Sequence, residues 1–142
     1  MSEPSAPIRY WNRQQVRYRD VDMQQIVYFA KYLEYVDIAL DDYLRSLGVV
    51  VSETAPSGEY DTAMVHVELD YLAPARYDDV IDVGIRIERL GRSSMDARFE
   101  IQRAGLPLVR GAMVLVNFDR DSGRARDLPE RLRALIRERE DF

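Results

Sequence analysis

The stretch VRYRDVDMQQIVYFAKYLE, Val16 to Glu34, decides how this chain is read. It begins as a short alternating strand and passes two aspartates one residue apart, Asp20 and Asp22. It then crosses a polar turn at Gln24 and Gln25 and enters a helix rich in tyrosine. A carboxylate therefore stands just before the amino end of a long helix. There the backbone N–H groups lack intrahelical partners and the helix dipole leaves partial positive charge. A carboxylate beside such donors can serve acyl transfer, one acting as base or nucleophile and the other steadying the developing oxyanion. The chain has no cysteine, a single histidine (His66) and no G-x-S-x-G, so the carboxylate is the leading candidate for any chemistry.

Working outward, Gln14 to Arg19 reads as the first strand and Ala30 to Leu47 as the main helix. Apolar side chains recur at Phe29, Tyr32, Leu33, Val36, Ala39, Leu40, Tyr43, Leu44 and Leu47, the spacing of one wide helical face. Gly48 follows as a stop. Residues 49–60, with Pro56, Ser57 and Gly58, read as a loop. From Ala63 the period becomes two: Val65, Val67, Leu69 and Tyr71 alternate with His66, Glu68 and Asp70. Ile81 to Ile87, Met95 to Ile101 and Leu108 to Asp119 are three more strands, joined at Leu90-Gly91-Arg92-Ser93 and at Ala104 to Pro107. Pro129 to Glu140 is a short arginine-rich amphipathic helix.

Strands joined by hairpins make an antiparallel sheet, and a segregated helix makes the class α+β. The expected architecture is one curved antiparallel sheet wrapped around one long buried helix. Residues 1–13 are read as a flexible lead-in and 14–142 as a single domain. Small or apolar residues on both faces of the last strand (Ala112, Val114 and Val116 against Met113 and Leu115) predict an oligomer that buries the second face or an edge.

Composition narrows the partners. A net charge of −5 argues against general nucleic-acid binding, which needs a basic face. No run of 18 apolar residues exists, so no membrane-spanning helix is expected, and MSEPSAPIRY lacks the pattern of a secretory signal. The lack of cysteine fits a cytoplasmic setting. One histidine cannot build a metal site, so no metal and no cofactor are expected, and His66 reads as a surface or interface residue. Asp119-x-Asp121-x-Gly123 lacks the later ligands of a calcium loop and reads as a turn. The mixed signs of Arg131, Arg133, Arg137 and Arg139 with Glu130, Glu138 and Glu140 make the last helix a solvated face.

Three stretches carry a resemblance: Tyr18-Arg19-Asp20-Val21-Asp22 through Val27-Tyr28 to Tyr32; Tyr71-Leu72-Ala73-Pro74-Ala75-Arg76-Tyr77-Asp78-Asp79; and Leu90-Gly91-Arg92-Ser93-Ser94. Together they resemble the hotdog-fold acyl-CoA thioesterases of the 4-hydroxybenzoyl-CoA thioesterase and YbgC-like type, from about Val16 to Leu132. The resemblance implies that Asp22 is the nucleophile or general base and that the amide of Phe29 is the oxyanion donor. It further implies that Arg92, Ser93 and Ser94 hold coenzyme A, which lies across a subunit interface of a homodimer or homotetramer. Tyr28 and Tyr32 could line the acyl pocket, and Asp20 reads as structural. The chain departs from the family at Gln25, where a glycine is usual. It departs again at Phe29, where many YbgC-like members have histidine and the hydroxybenzoyl branch has an aromatic, which leans toward an aryl substrate. Two alternatives stay open: a thioesterase for acyl carrier protein, with Arg17, Arg19, Arg89 and Arg92 offsetting the acidic chain, and a module that binds acyl-CoA without cleaving it.

Overall fold

The apolar positions of the main helix fall on one face because residues three and four apart share a side of an α-helix. In the computed structural model, which describes residues 6–142, a 3-10 turn at Phe29–Lys31 leads into helix α1 (Tyr32–Ser46). Tyr32, Val36, Ala39, Tyr43 and Leu44 are almost completely buried. Burying a Val- or Leu-sized side chain contributes about 1.5–3 kcal/mol, so this one face is a large part of what holds the fold. Gly48 adopts φ 85°, a left-handed conformation open to glycine, and ends the helix.

Five strands form one antiparallel sheet: β1 (Tyr10–Gln15), β2 (Thr62–Tyr71), β3 (Val80–Leu90), β4 (Ser94–Arg103) and β5 (Leu106–Asn117). Their order is β1-β3-β4-β5-β2, so the β3-β4-β5 meander is central and the two strands that precede it in sequence flank it. Period-two alternation sends Met95, Ala97, Phe99 and Ile101 into the core, while Asp96, Arg98 and Glu100 face outward. Phe99 lies opposite Gly111, where a Cβ would stand 2.3 Å from the ring, so only glycine fits. Helix α1 packs on β3 and β1, which completes the expected α+β architecture.

The structure corrects five readings. The first strand begins at Tyr10 rather than Gln14, so residues 10–13 of the predicted lead-in are paired backbone (Tyr10 opposite Ile85, Gln15 opposite Val80), and 1–5 lie outside the described residues. Tyr18 and Arg19, predicted as the end of that strand, fall in a 3-10 turn (Tyr18–Asp20). The predicted 49–60 loop contains helix α2 (Val51–Ser57), with Pro56 in its last turn and Gly58 closing it at φ 82°. Val65, expected inside, is 61% exposed because a bulge between Met64 and His66 shifts the register.

The fifth correction concerns helix α3 (Glu130–Glu140), which is not solvated throughout. Strand β1 ends opposite Ile85, so β3 continues from Arg86 without a neighbour on that side. Glu140 fills the gap. Its Oε2 accepts the Ile87 amide at 2.6 Å and the Tyr43 hydroxyl at 3.0 Å, and its Oε1 meets the buried Arg86 guanidinium at 3.4 Å. Buried charge persists where it is paired and hydrogen-bonded, and Glu140 is both.

Candidate active site

The segment after β1 is folded back on itself before it enters α1. Val21 and Val27 form an isolated bridge, the Asp22 amide donates to the Ile26 carbonyl at 3.0 Å, and the Gln25 amide donates to the Asp22 carbonyl at 2.9 Å. This tight loop requires a left-handed residue, and Gln25 takes it at φ 64°. The position where the resembling family has glycine is thus the position whose backbone calls for one. The glutamine keeps the turn at the cost of strain. The loop is clamped from outside by the Val27 amide on the Ala75 carbonyl at 2.9 Å and by a bridge from Ile26 to Arg76.

The two aspartates have different surroundings. Asp20 is buried; its Oδ2 accepts the Arg17 amide and the Tyr35 hydroxyl, both at 2.9 Å, while Lys31 Nζ lies 3.6 Å from Oδ1. Its backbone carbonyl also accepts the Tyr28 amide at 3.0 Å. Asp20 therefore ties the loop to α1. Burial, reinforced by the bond to this carboxylate, pushes the Tyr35 phenol well above its ordinary value. Asp22 is only partly buried. Its Oδ1 accepts the Gln24 amide at 2.8 Å, and among the described residues Oδ2 has no hydrogen-bond donor.

Asp22, Ile26, Phe29, Tyr32, Tyr71 and Leu72 enclose a cavity of about 340 Å³. Phe29 opens the 3-10 turn, and among the described residues no acceptor engages its amide, as expected for the first donor of a helical segment. Tyr71, a residue the sequence patterning had set on the buried side of its strand, is half exposed. It reaches from the end of β2 to donate to the Phe29 carbonyl at 2.7 Å. Tyr32 crosses behind it, its ring 5.5 Å from that of Tyr71 and its hydroxyl oxygen accepting the Ala75 amide at 3.0 Å. Burial holds the Tyr32 phenol above its ordinary value. Tyr71 and Leu72 were missed as wall residues, although they open the second of the stretches quoted above.

Other candidates lie elsewhere. Tyr28 touches Phe29, ring centroids 4.6 Å apart and planes tilted by 48°, but does not line the cavity. The Arg92-Ser93-Ser94 hairpin begins where β3 ends. The Asp22 loop adjoins the other end, where the Val16 amide meets the Asp79 carbonyl at 2.8 Å. The 11 residues of β3 separate the two by about 33 Å. Arg92 pairs with Asp127 at 2.8 Å, and its carbonyl holds Leu128 and Arg133. A single chain does not bring that hairpin to Asp22. His66 is exposed on edge strand β2, and among the described residues no three His, Asp or Glu side chains gather to hold a metal ion. Asp119 accepts the Asp121 amide at 3.1 Å, the predicted turn. No helix among the described residues is long and apolar enough to cross a membrane.

Residues 16–136 match the family described as the thioesterase-like superfamily. The chain belongs to that superfamily. A 1,4-dihydroxy-2-naphthoyl-CoA hydrolase of Synechococcus elongatus is 25% identical over 82% of this chain and 87% of its own length. In several other relatives the match covers only 62% to 65% of their length. A crystal structure of a Thermus thermophilus thioesterase complexed with coenzyme A and Zn is 31% identical, with a TM-score of 0.80, covering 93% of this chain and 94% of that one. A 1,4-dihydroxy-2-naphthoyl-CoA thioesterase from Synechocystis superposes with a TM-score of 0.82 at 23% identity, over 89% and 94% of the two chains. The fold of this thioesterase-like protein is therefore the hotdog, and the relatives and structural neighbours it resembles include proteins named as thioesterases, that is, thioester hydrolases.

Proposed function

We propose that this protein hydrolyses acyl-CoA thioesters, with Asp22 as the acting carboxylate and the Phe29 amide as oxyanion donor. One observation carries the reading: Asp22, with its Oδ2 free, and the unengaged start of the α1 segment face the same aromatic-walled cavity. The thioester carbonyl would lie between them. As Asp22 Oδ2 attacks the carbonyl carbon, or takes a proton from an attacking water, negative charge gathers on the carbonyl oxygen. A fixed N–H and the helix dipole stabilise that charge without reorganising. Both variants of the step fit the same placement.

The acyl group is compact and, in this reading, aromatic. A cavity of about 340 Å³ is at the small end of the roughly 300–1,000 Å³ of ligand pockets. Its walls are the rings of Phe29, Tyr32 and Tyr71, which favour a flat ring over a long flexible chain. The aryl-CoA substrates in the names of relatives point the same way. That Gln25 holds the left-handed turn keeps the catalytic loop in shape and favours an enzyme over a binding module. A homodimer, or a dimer of dimers, fits the open edge of β2 and the apolar strip of Ala112, Val114 and Val116 beside it.

The test is thiol release from a panel of benzoyl-, naphthoyl-, phenylacetyl- and aliphatic acyl-CoA thioesters, with Asp22→Asn alongside. Cleavage of aryl thioesters that is lost in the folded variant is the expected result. Tight acyl-CoA binding with no thiol released would leave the binding module as the better reading.

A further inference from the structure

The wall of the Asp22 cavity holds a hydrogen-bond donor that the fold itself does not use. The Tyr32 ring is 3% exposed and its oxygen accepts the Ala75 amide at 3.0 Å, yet among the described residues no acceptor takes its hydroxyl proton. A buried tyrosine O–H ordinarily finds an acceptor. Tyr32 lines the cavity together with Asp22 and Phe29, so a group bound there is the acceptor left to it.

The place of Tyr32 in the chain says which group. Residues 29 and 32 are three apart across the 3-10 turn (Phe29–Lys31) that opens α1, a spacing that sets side chains one above the other. Helical side chains lean back toward the amino end, so Tyr32 covers the turn that Phe29 begins. Tyr71 ties the two together: its ring lies 5.5 Å from that of Tyr32, and its hydroxyl holds the Phe29 carbonyl. The unengaged Phe29 amide and the unengaged Tyr32 O–H therefore flank one turn beside Asp22. Burial is the main cause of the raised Tyr32 phenol; Tyr71 and Asp22 add to it, while the Ala75 amide and Arg103 pull it down. The phenol thus stays protonated, and so a donor, at neutral pH. The Ala75 amide on its oxygen polarises the O–H and strengthens it as a donor.

We propose that Tyr32 is a second oxyanion donor, its hydroxyl meeting the same thioester oxygen that the Phe29 amide meets from the backbone. The assignment rests on the hydrolase reading of Asp22 and Phe29 and adds a side chain to it. As Asp22 Oδ2, or a water giving its proton to Asp22, bonds to the carbonyl carbon, the C=O π pair moves onto oxygen. Two fixed hydrogen bonds hold it there. Collapse of the oxyanion restores the C=O bond and breaks the C–S bond, and the sulfur leaves as thiolate with the bonding pair. Where water attacks, the proton taken by Asp22 passes to that thiolate. Tyr32 keeps its own proton throughout.

Site-specific replacement of Tyr32 by mono- and difluorotyrosine, read as thiol release across pH, tests it on the whole protein. Fluorine acidifies the phenol and leaves its ring and oxygen in place. An ionised phenol can no longer donate, so the alkaline limb of kcat should move to lower pH with each fluorine, into the range where the protein stays folded. A hydroxyl that served only to accept the Ala75 amide would show no such limb, because a phenolate accepts better still. Tyr32→Phe should lower kcat by about 10²–10³-fold with little change in KM, the effect of removing one oxyanion donor. Circular dichroism checks its fold; if the Ala75 contact proves essential to folding, the fluorinated proteins, which keep the hydroxyl, still decide. A pH profile unmoved by fluorine, or an unchanged kcat in folded Tyr32→Phe, would overturn the assignment. Turnover that Asp22→Asn abolishes would then leave the hydrolase reading standing without it. A wild-type protein that releases no thiol from any thioester of the panel would reject both.

Discussion

The hydroxyl of Tyr43, in the last turn of α1, donates a 3.0 Å hydrogen bond to Glu140, 97 residues later in α3. The same carboxylate satisfies the Ile87 amide that has no neighbouring strand and faces the buried Arg86. Replacing Glu140 with alanine leaves the Ile87 amide and the Tyr43 phenol without their acceptor and takes one carboxylate from the buried Arg86, which keeps Glu88 and the Pro7 and Glu140 carbonyls. The expected loss is about 3–5 kcal/mol, the usual cost of breaking a buried ion pair from one side. Urea denaturation of Glu140→Ala measures it; a loss under about 1 kcal/mol would place Glu140 among ordinary surface groups.

The two aspartates of the loop between β1 and α1 should separate cleanly. Asp22→Asn is expected to reduce thioester turnover by about 10²–10⁴-fold, the range for a lost acid–base group. Its stability should change by less than about 0.5 kcal/mol. Asp20→Asn should do the opposite, because its oxygens hold Arg17, Tyr35 and Lys31. A loss of about 1–3 kcal/mol is expected there, from a buried hydrogen-bonding group removed. Parallel kinetics and melting curves decide. If the two variants lose activity and stability alike, the division of roles is wrong.

Gln25→Gly should stabilise the protein. A left-handed residue other than glycine costs about 1–2 kcal/mol, and glycine gives back part of that gain through its larger unfolded-state entropy. A net gain of about 0.5–1 kcal/mol is expected, with turnover preserved, because the loop keeps its shape. A destabilised variant would mean that the glutamine side chain makes contacts that outweigh the strain.

Tyr71 acts on the site at one remove. Its hydroxyl holds the Phe29 carbonyl, the turn of backbone that carries the proposed oxyanion donor. Tyr71→Phe keeps the ring in the wall and removes only the hydrogen bond. It should lower kcat by about tenfold with little change in KM, as when an interaction felt mainly in the transition state is weakened. A rise in KM alone would make Tyr71 a substrate contact.

Alkaline pH should unfold the protein through its tyrosines. Burial raises the Tyr60 phenol from 10.0 to about 12 and, as the main cause in each, pushes Tyr10, Tyr32, Tyr35 and Tyr43 upward as well. Carboxylate partners (Asp42, Asp20 and Glu140) add to the rise at Tyr10, Tyr35 and Tyr43. Above about pH 10 the unfolded chain loses these protons while the native one keeps them. Stability is therefore intact below pH 10 and declines as pH rises further. Phenolate absorbance of this group should appear together with the loss of circular dichroism; full ionisation of a still-folded protein would contradict it.

What the sequence made legible was whatever repeats. The helical spacing from Tyr32 to Leu44 and the alternation of β3 and β4 each carry their own periodic signal, and those elements fall within a few residues of expectation. The Asp22 loop was legible through its resemblance to a family motif, since an aspartate before a helix is by itself a common cap or turn residue. Strand β1 was not, since Tyr10–Gln15 has no alternation to show and is defined by its pairing with β3. The α3 carboxylates look alike in sequence; only the missing strand beside Ile87 singles out Glu140. Tyr71 joined the site through tertiary placement.

The strand order has a consequence for how the molecule comes into being. The β3-β4-β5 meander pairs neighbours in sequence, whereas β1 must find β3 (Tyr10 with Ile85) and β2 must find β5 (Thr62 with Asn117) across long stretches of chain. Short-range pairings form fast and long-range closures slowly. The meander is thus expected to form first and the flanking strands to join it later. Every residue around Asp22 hangs from those late arrivals: the loop follows β1, and Tyr71 and Leu72 follow from β2. During refolding the sheet signal should therefore appear first and competence for hydrolysis last.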